Sequence, residues 1–243
     1  MKIAWGLTGY GPLPYMPVYT SHLRAIAFAS RAFEVDVDLV ERVHADEPTM
    51  RAELSARIGG VGATDRMYTH SAENRLVEEL LGGDCTHLFL TEMDMILPKH
   101  TLVALAELAK PVASGLYFLR GGRGQPCLYR KVVALSENPY AHSPVRLFPK
   151  THPFQVDCPG LGCVLIHRSV FERLTYPWFD LAEGKFGSDM YFYTKVREAG
   201  IEVWAHPGVA CNQIDYQVVG WHTYQERLDT DPEFAANGYI IGR

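Results

Sequence analysis

Short apolar runs alternate along this chain with apolar stripes at helical spacing, and that alternation restricts the fold more than any other feature. Ile3-Ala4-Trp5, closed by Gly6, has the length of a strand, and Leu23, Ile26 and Ala27 follow at the i, i+3, i+4 spacing of one helical face over residues 19–34. The run from Val35 to Val40 predicts a further strand. After a polar, Gly-containing stretch at 44–69, Ser71 stands as the N-cap of a helix over 71–82 that sets Ala72, Leu76 and Leu80 on one face and stops at Gly82-Gly83. Leu88-Phe89-Leu90, an apolar helical stretch at 101–109 and the run from Pro111 to Tyr117 repeat the pattern. Strands separated by helices predict an α/β sheet.

The middle of the chain, 119–156, is rich in Gly, Pro, Arg and aromatic residues and reads as an excursion from that sheet, to which Val164-Leu165-Ile166 returns. A helix is expected over 188–199, with Phe192, Val196 and Ala199 on one face and Gly200 behind it, then two short strands at 201–205 and 208–211. The last twenty residues are polar with scattered aromatics. One domain over 1–222 is therefore expected, with 223–243 as a tail packing on it or on a partner. Apolar residues make up 47% and charged residues 21%, which supplies a core and excludes intrinsic disorder. A net charge of −5 gives no basic surplus for a polyphosphate backbone, so nucleic acid is not an expected partner.

Five cysteines, an odd number without C-x-x-C spacing, argue against a zinc ribbon and against a disulfide framework, and a reducing cytoplasm is the expected compartment. Gly, Pro and Tyr arrive before any apolar stretch of signal-peptide length. No run approaches the ~18 residues of a membrane span, so an unsecreted chain without a transmembrane segment is expected.

The segment most informative about chemistry runs from Thr86 to Pro98. Its apolar strand delivers two carboxylates, Glu92 and Asp94, at the C-terminal end, where open α/β sheets bind ligands, and residues two apart in extended chain point the same way. Such a pair suits a hard divalent cation, because magnesium and manganese prefer oxygen ligands and bridge carboxylates to substrate phosphates. A solvated acidic turn after a buried strand would carry the same residues.

Thr86 to Pro98 resembles the strand and DxD-type motif of GT-A glycosyltransferases, especially the small prokaryotic and phage family 2-like members. Asp94 stands at the family's metal-ligating position, Glu92 replaces the first Asp of the motif, and Thr91 replaces the acidic residue ahead of it. Three further segments match in the same order. Ala72-Glu73-Asn74 is similar to Ala-Arg-Asn beside the nucleotide, with Glu73 where Arg is usual. Pro159 to Phe171 resembles a Gly-x-Gly-x-x-Leu-Ile-x-Arg segment whose glycines leave room for the sugar. Phe186 to Phe192 resembles Gly-Glu-Asp-x-x-Phe, with Asp189 at the catalytic carboxylate and Ser188 in place of Glu. At Cys211-Asn212-Gln213-Ile214, Gln213 stands where the family places a metal-binding His, a role His222 would have to take over from the next loop.

The resemblance implies a GT-A-like Rossmann-type sandwich, its central sheet mixed but mostly parallel and flanked by helices. It implies transfer of a sugar from a nucleotide-diphosphate sugar of UDP or GDP type to a hydroxyl on a glycan, protein or other acceptor, with Mn2+ or Mg2+. Asp94 would hold the metal together with Glu92, Gln213 and His222 being poorer ligands; Asn74, Glu92, Gly160, Gly162 and Ser188 would line the donor pocket; Asp189 would be the base. A homo-oligomer is compatible with it. The departures at Glu73, Thr91, Ser188 and Gln213 equally suit a degenerate member that binds sugar nucleotides or glycans without transfer. A sugar nucleotidyltransferase is less favoured, since it should carry a Gly-rich loop with Arg after the first strand, where this chain has Pro and Tyr.

Bland readings stand beside these. Asp189 at a helix start is favoured by the helix dipole alone, worth about 0.3–1 kcal/mol. Gly160 and Gly162 suit a tight turn. Trp178 and Phe179 read as core aromatics before acceptor-site rings. Gly6 to Gly11 is followed by Pro12, where a dinucleotide loop needs a helix N-terminus, and Gly121-Gly122-Arg123-Gly124 lacks the Lys-Ser/Thr of a phosphate loop, although Arg120 or Arg123 could reach a phosphate.

Overall fold

A computed structural model describes residues 2–8, 16–33, 69–92, 94–120, 124–131, 139–181, 187–214, 218–236 and 239–241. The strand expected at 35–40, nearly all of 44–69, and the loops containing Gly9, Gly11 and Arg123 lie outside them.

Among the described residues the main sheet has the order β1 (Ile3–Thr8), β2 (His87–Glu92), β9 (Cys163–His167), β4 (Val112–Leu116), β10 (Val203–Ala210) and β7 (Phe154–Gln155). β1 runs parallel to β2, and β4 parallel to β10. β9 is antiparallel to both its neighbours, β2 and β4, which places β1, β2, β4 and β10 in one direction, while β7 is antiparallel at the edge. The fold is thus mixed α/β with most strands of the central sheet aligned. Leu88, Phe89 and Leu90 of β2 and Val164, Leu165 and Ile166 of β9 are all buried, as strands covered on both faces must be.

Helix α1 (Met16–Phe33) forms where it is expected, but the face it buries is rotated. Ser21, His22, Ala25 and Ala29 face inward, whereas Ala27 is exposed and Leu23 and Ile26 are half-buried. The reason is polar. Ser21 Oγ accepts from the Leu97 amide, and His22 Nε2 lies 3.0 Å from the Met95 carbonyl, so this face docks against the backbone around β3 (Met95–Ile96) and the alanines permit the close approach. Helix α2 (Thr69–Gly82) begins two residues before Ser71, which therefore lies within its first turn and does not cap it. Glu73, Asn74, Val77 and Leu80 are its buried residues; Ala72 and Leu76 are half-buried.

Helix α3 (Thr101–Glu107) buries Thr101, Leu102 and Leu105 and leads into β4. Beyond β4, β5 (Leu128–Lys131), β6 (His142–Leu147) and β8 (Cys158–Pro159) form a second sheet with β13 (Tyr239–Ile240). Helix α4 (Arg168–Arg173) follows β9 directly. Helix α5 (Ser188–Glu198) buries Phe192, Tyr193 and Val196 and ends before Gly200 at φ +65, a left-handed stop. The two strands expected at 201–205 and 208–211 are one strand, β10. Its pairing with β4 runs to His206, slips, and resumes at Ala210, so Pro207 sits in a bulge where no ladder donor is required.

A small antiparallel sheet joins β3, β11 (Asn212–Ile214) and β12 (Val218–Val219). Helices α6 (Trp221–Thr230) and α7 (Pro232–Ala236) follow. Helix α6 runs continuously through residue 222, and Tyr224 on it is fully buried, with its ring 5.3 Å from Phe118 and 5.4 Å from Phe148.

One side chain ties the start of α4 to the end of α2. Arg168 donates from Nη1 to the carbonyls of Leu80 and Gly83, from Nη2 to that of Leu81, and from Nε to Glu172. It thereby satisfies the open carbonyls at the C-terminus of α2, where positive charge is also favoured by the dipole. Replacing Arg168 with Met should lower unfolding stability by about 2 kcal/mol, since several charge-assisted hydrogen bonds are lost, and Arg168→Lys should restore only part of it; urea denaturation of the two variants measures this.

Candidate functional site

At the C-terminal end of β2, Glu92 and Asp94 meet residues from four other parts of the chain. Gln213, buried on β11, reaches both: its Nε2 donates to Asp94 Oδ2 at 3.1 Å and lies 3.5 Å from Glu92 Oε2. The backbone enforces this placement, because β11 pairs with β3 and the Ile214 amide donates to the Asp94 carbonyl. From another direction comes Arg120. The segments on either side of it pair, Phe118 with Pro126 and the Leu119 amide with the Gln125 carbonyl, so Arg120 lies at the turn of a hairpin. Its Nη1 is 3.2 Å from Asp94 Oδ2. Gly124, on the return limb at φ +55, sits so close to the start of α6 that a Cβ there would lie 2.7 Å from the Thr223 carbonyl oxygen.

Asp94 Oδ1 is buried without a hydrogen-bond partner. Two carboxylates and an orphaned oxygen fit a hard cation in chemistry. Among the described residues no group of three or more His, Cys, Asp or Glu is arranged to hold an ion by itself, so phosphate and water oxygens would have to complete the shell.

Behind this pair lies Asp189, in the first turn of α5, where Oδ1 accepts from the Met190 amide at 2.8 Å. Next to it the Ser188 hydroxyl hydrogen-bonds Glu73, which is 2% exposed and whose Oε2 has no partner. Burial, with Asp189 and Glu92 as negative neighbours, pushes the Glu73 carboxyl up to about 8 despite that bond. Burial likewise raises Glu92 to about 7, helped by Asp94 and Asp189 and opposed by Arg120. Asp189 is raised by burial, against the pull of its backbone hydrogen bonds. Carboxyl groups withdrawn from water and facing one another cannot all ionise cheaply, so this site retains protons near neutrality.

The other residues singled out in the sequence take different places. Asn74 has its amide committed to the backbone: Oδ1 accepts from the Trp178 and Phe179 amides, and Nδ2 donates to the Phe179 carbonyl. Trp178 and Phe179 are buried, Phe179 against Phe192 at 4.7 Å, so both are core residues. The space at Gly160 and Gly162 holds Tyr117. A Cβ on Gly160 would meet its hydroxyl, one on Gly162 would lie 3.0 Å from its ring, and the Gly162 amide donates to that hydroxyl. His222 is exposed on α6 with Nε2 3.1 Å from Thr223 Oγ1, and no hydrogen bond or ion pair joins it to Glu92 or Asp94. Tyr117 is a residue the sequence reading passed over. The pairing of two glycines with a tyrosine far away in the chain leaves no local signal.

No sequence-family description matches the chain, and no curated protein matches it. Among solved structures, A197 from STIV superposes with a TM-score of 0.53 at 16% identity, over 100% of this chain and 95% of its own. UDP-glucose pyrophosphorylase from Acinetobacter baumanii superposes at 0.45 and 8% identity over 97% and 96% of the two chains. A nucleoside-diphosphate-sugar pyrophosphorylase from Vibrio cholerae gives 0.42 and 11% identity over 94% and 100%. The likeness to A197 is one of fold, and it extends over the whole chain.

Two consequences are measurable. Glu73 binds its proton more tightly in the folded chain than at the ordinary value of 4.5, so stability is greatest below that pH and falls as pH rises toward about 8. Thermal unfolding should show that decline between about pH 5 and 8, and Glu73→Gln should flatten it. Gly160→Ala should destabilise by about 1–3 kcal/mol through overpacking against Tyr117, and Tyr117→Phe in the same chain should return part of the loss in a denaturant titration.

Proposed function

We propose that this chain is a glycosyltransferase of GT-A type, moving a sugar from a UDP- or GDP-type donor to a hydroxyl acceptor, with residues 1–222 carrying the catalytic machinery. The observation that carries the reading is the convergence of two acidic motifs distant in sequence. Glu92 and Asp94 lie at a strand end and Asp189 at a helix start, yet Asp189 is close enough to raise the Glu92 carboxyl. Their order along the chain is that of the family the motifs resemble.

Asp94, with Glu92 beside it, would hold a divalent cation whose contribution when bound is to offset the charge growing on the departing diphosphate. The chain's own groups do the rest. Asp189 takes the proton of the acceptor hydroxyl as that oxygen bonds to the anomeric carbon, and the bond from that carbon to the diphosphate breaks with its electron pair leaving on phosphate. A carboxyl raised by burial is a stronger base than an exposed one, which suits the task. It also means the rate should climb with pH until Asp189 is ionised, and the climb should lie above the range of an ordinary aspartate. Gln213 keeps Glu92 and Asp94 at a fixed separation, while Asn74 holds the 178–179 turn in front of α5.

Calorimetric titration with a panel of nucleotide-sugars, with and without manganese, tests the donor. A nucleoside diphosphate at about a hundred times its Kd should add roughly 2.7 kcal/mol of stability in the presence of the cation, and Asp94→Ala should abolish that gain. Absence of any shift at millimolar nucleotide overturns the reading. Asp189→Asn should keep nucleotide affinity and lose transfer by about 10²–10⁴-fold in a product assay.

A further inference from the structure

Asp94 Oδ2 receives two donors, the Gln213 amide and the Arg120 guanidinium, while Oδ1 receives none. The two donors differ in kind. Gln213 is buried on a paired strand and neutral. Arg120 is at the turn of a hairpin, with its side chain 60% exposed against 22% for Asp94. An ion pair open to water on one side holds weakly, because both partners regain hydration when it parts. Carbon and nitrogen atoms of an exposed arginine side chain can also swing several ångströms without disturbing the fold. A divalent cation that took up both Asp94 oxygens would compete with the guanidinium for Oδ2, and a displaced guanidinium next to that cation would lie within reach of any anion the cation holds.

We propose that Arg120 is an exchangeable counter-ion: it neutralises Asp94 until a divalent cation displaces it, and then engages the phosphates of a nucleoside diphosphate bound through that cation. The inference deepens the glycosyltransferase reading and rests on it for the identity of the anion. A planar guanidinium suits this second task, since it bonds two phosphate oxygens at once, which an ammonium does not. One positive charge leaves Asp94 as two arrive on the divalent cation, and the released guanidinium and the cation together meet the negative charge of the incoming diphosphate.

The test is binding, read without catalysis. Free manganese is followed by electron paramagnetic resonance while wild type, Arg120→Ala and Arg120→Lys are titrated in the absence of nucleotide. Removing the competitor should tighten manganese binding by about 3- to 10-fold in Arg120→Ala. With manganese saturating, calorimetry with UDP and GDP should then show nucleoside diphosphate binding about 10-fold weaker in Arg120→Ala, with Arg120→Lys between. Unchanged manganese affinity overturns the exchange. Tighter manganese with unchanged nucleotide affinity overturns the phosphate contact. If neither nucleotide binds wild type while Arg120→Ala still gains manganese affinity, the exchange stands and the glycosyltransferase reading falls. Because Arg120 is exposed, a folded variant is expected, and thermal unfolding of each protein verifies it.

Discussion

The insertion of β9 antiparallel between β2 and β4 is the constraint on which the site depends. It is bonded on both sides along nearly its whole length, and Cys163, Val164, Leu165 and Ile166 are buried. Its entry fixes the turn at 160–162, and the Glu92 amide reaches the Gly162 carbonyl at 3.4 Å, so the last rung of the β2–β9 ladder adjoins the acidic strand end. Its exit runs straight into Arg168, whose guanidinium anchors α2. The same strand therefore positions the glycine turn that receives Tyr117 and the helix that carries Glu73.

Electrostatically the site is a contest between burial and charge. Glu73, Glu92 and Asp189 have been withdrawn from water and each is raised as a result. Against them stand the Arg120 guanidinium and the Gln213 amide at the Glu92–Asp94 end, the Ser188 hydroxyl on Glu73 and the Met190 amide on Asp189. Glu92 and Glu73 are raised to about 7 and about 8, so the groups that retain protons reach from the strand end into α2. On the proposed reading, metal binding would fall to Glu92 and Asp94 and proton transfer to Asp189, adjoining groups coupled through space.

Periodicity revealed the skeleton because each element has its own apolar signature. β2, β4, β9 and α5 all lie within a residue or two of where hydrophobic spacing put them, and the mixed α/β class follows from their alternation. The phase of α1 was hidden because its inward face is chosen by the Leu97 amide's bond to Ser21 Oγ, by the His22 contact with the Met95 carbonyl and by the smallness of Ala25 and Ala29, not by large apolar residues. The break expected between 205 and 208 lies inside one strand, because a bulge is invisible without the partner strand. At the site, the acidic residues were legible as a motif. The relation of Gln213 to Glu92 and Asp94 was not, since it depends on pairing between β3 and β11, and the partners of Asn74 depend on where the 178–179 turn comes to rest.

The chain order of the central sheet has a further meaning during synthesis. Strands β2 and β4 are complete once Leu116 has been added, yet neither can complete its ladder until the strand from Cys163 has left the ribosome, and β10 follows later still. Between those two points the nascent chain carries two apolar strands with open edges, and the segment that must fill the gap between them has not been made. Pairing between distant segments is slow to close, and open edges are templates for wrong partners. The excursion that holds β5 and β6 is translated during that interval, so its length sets how long the edges stay uncovered.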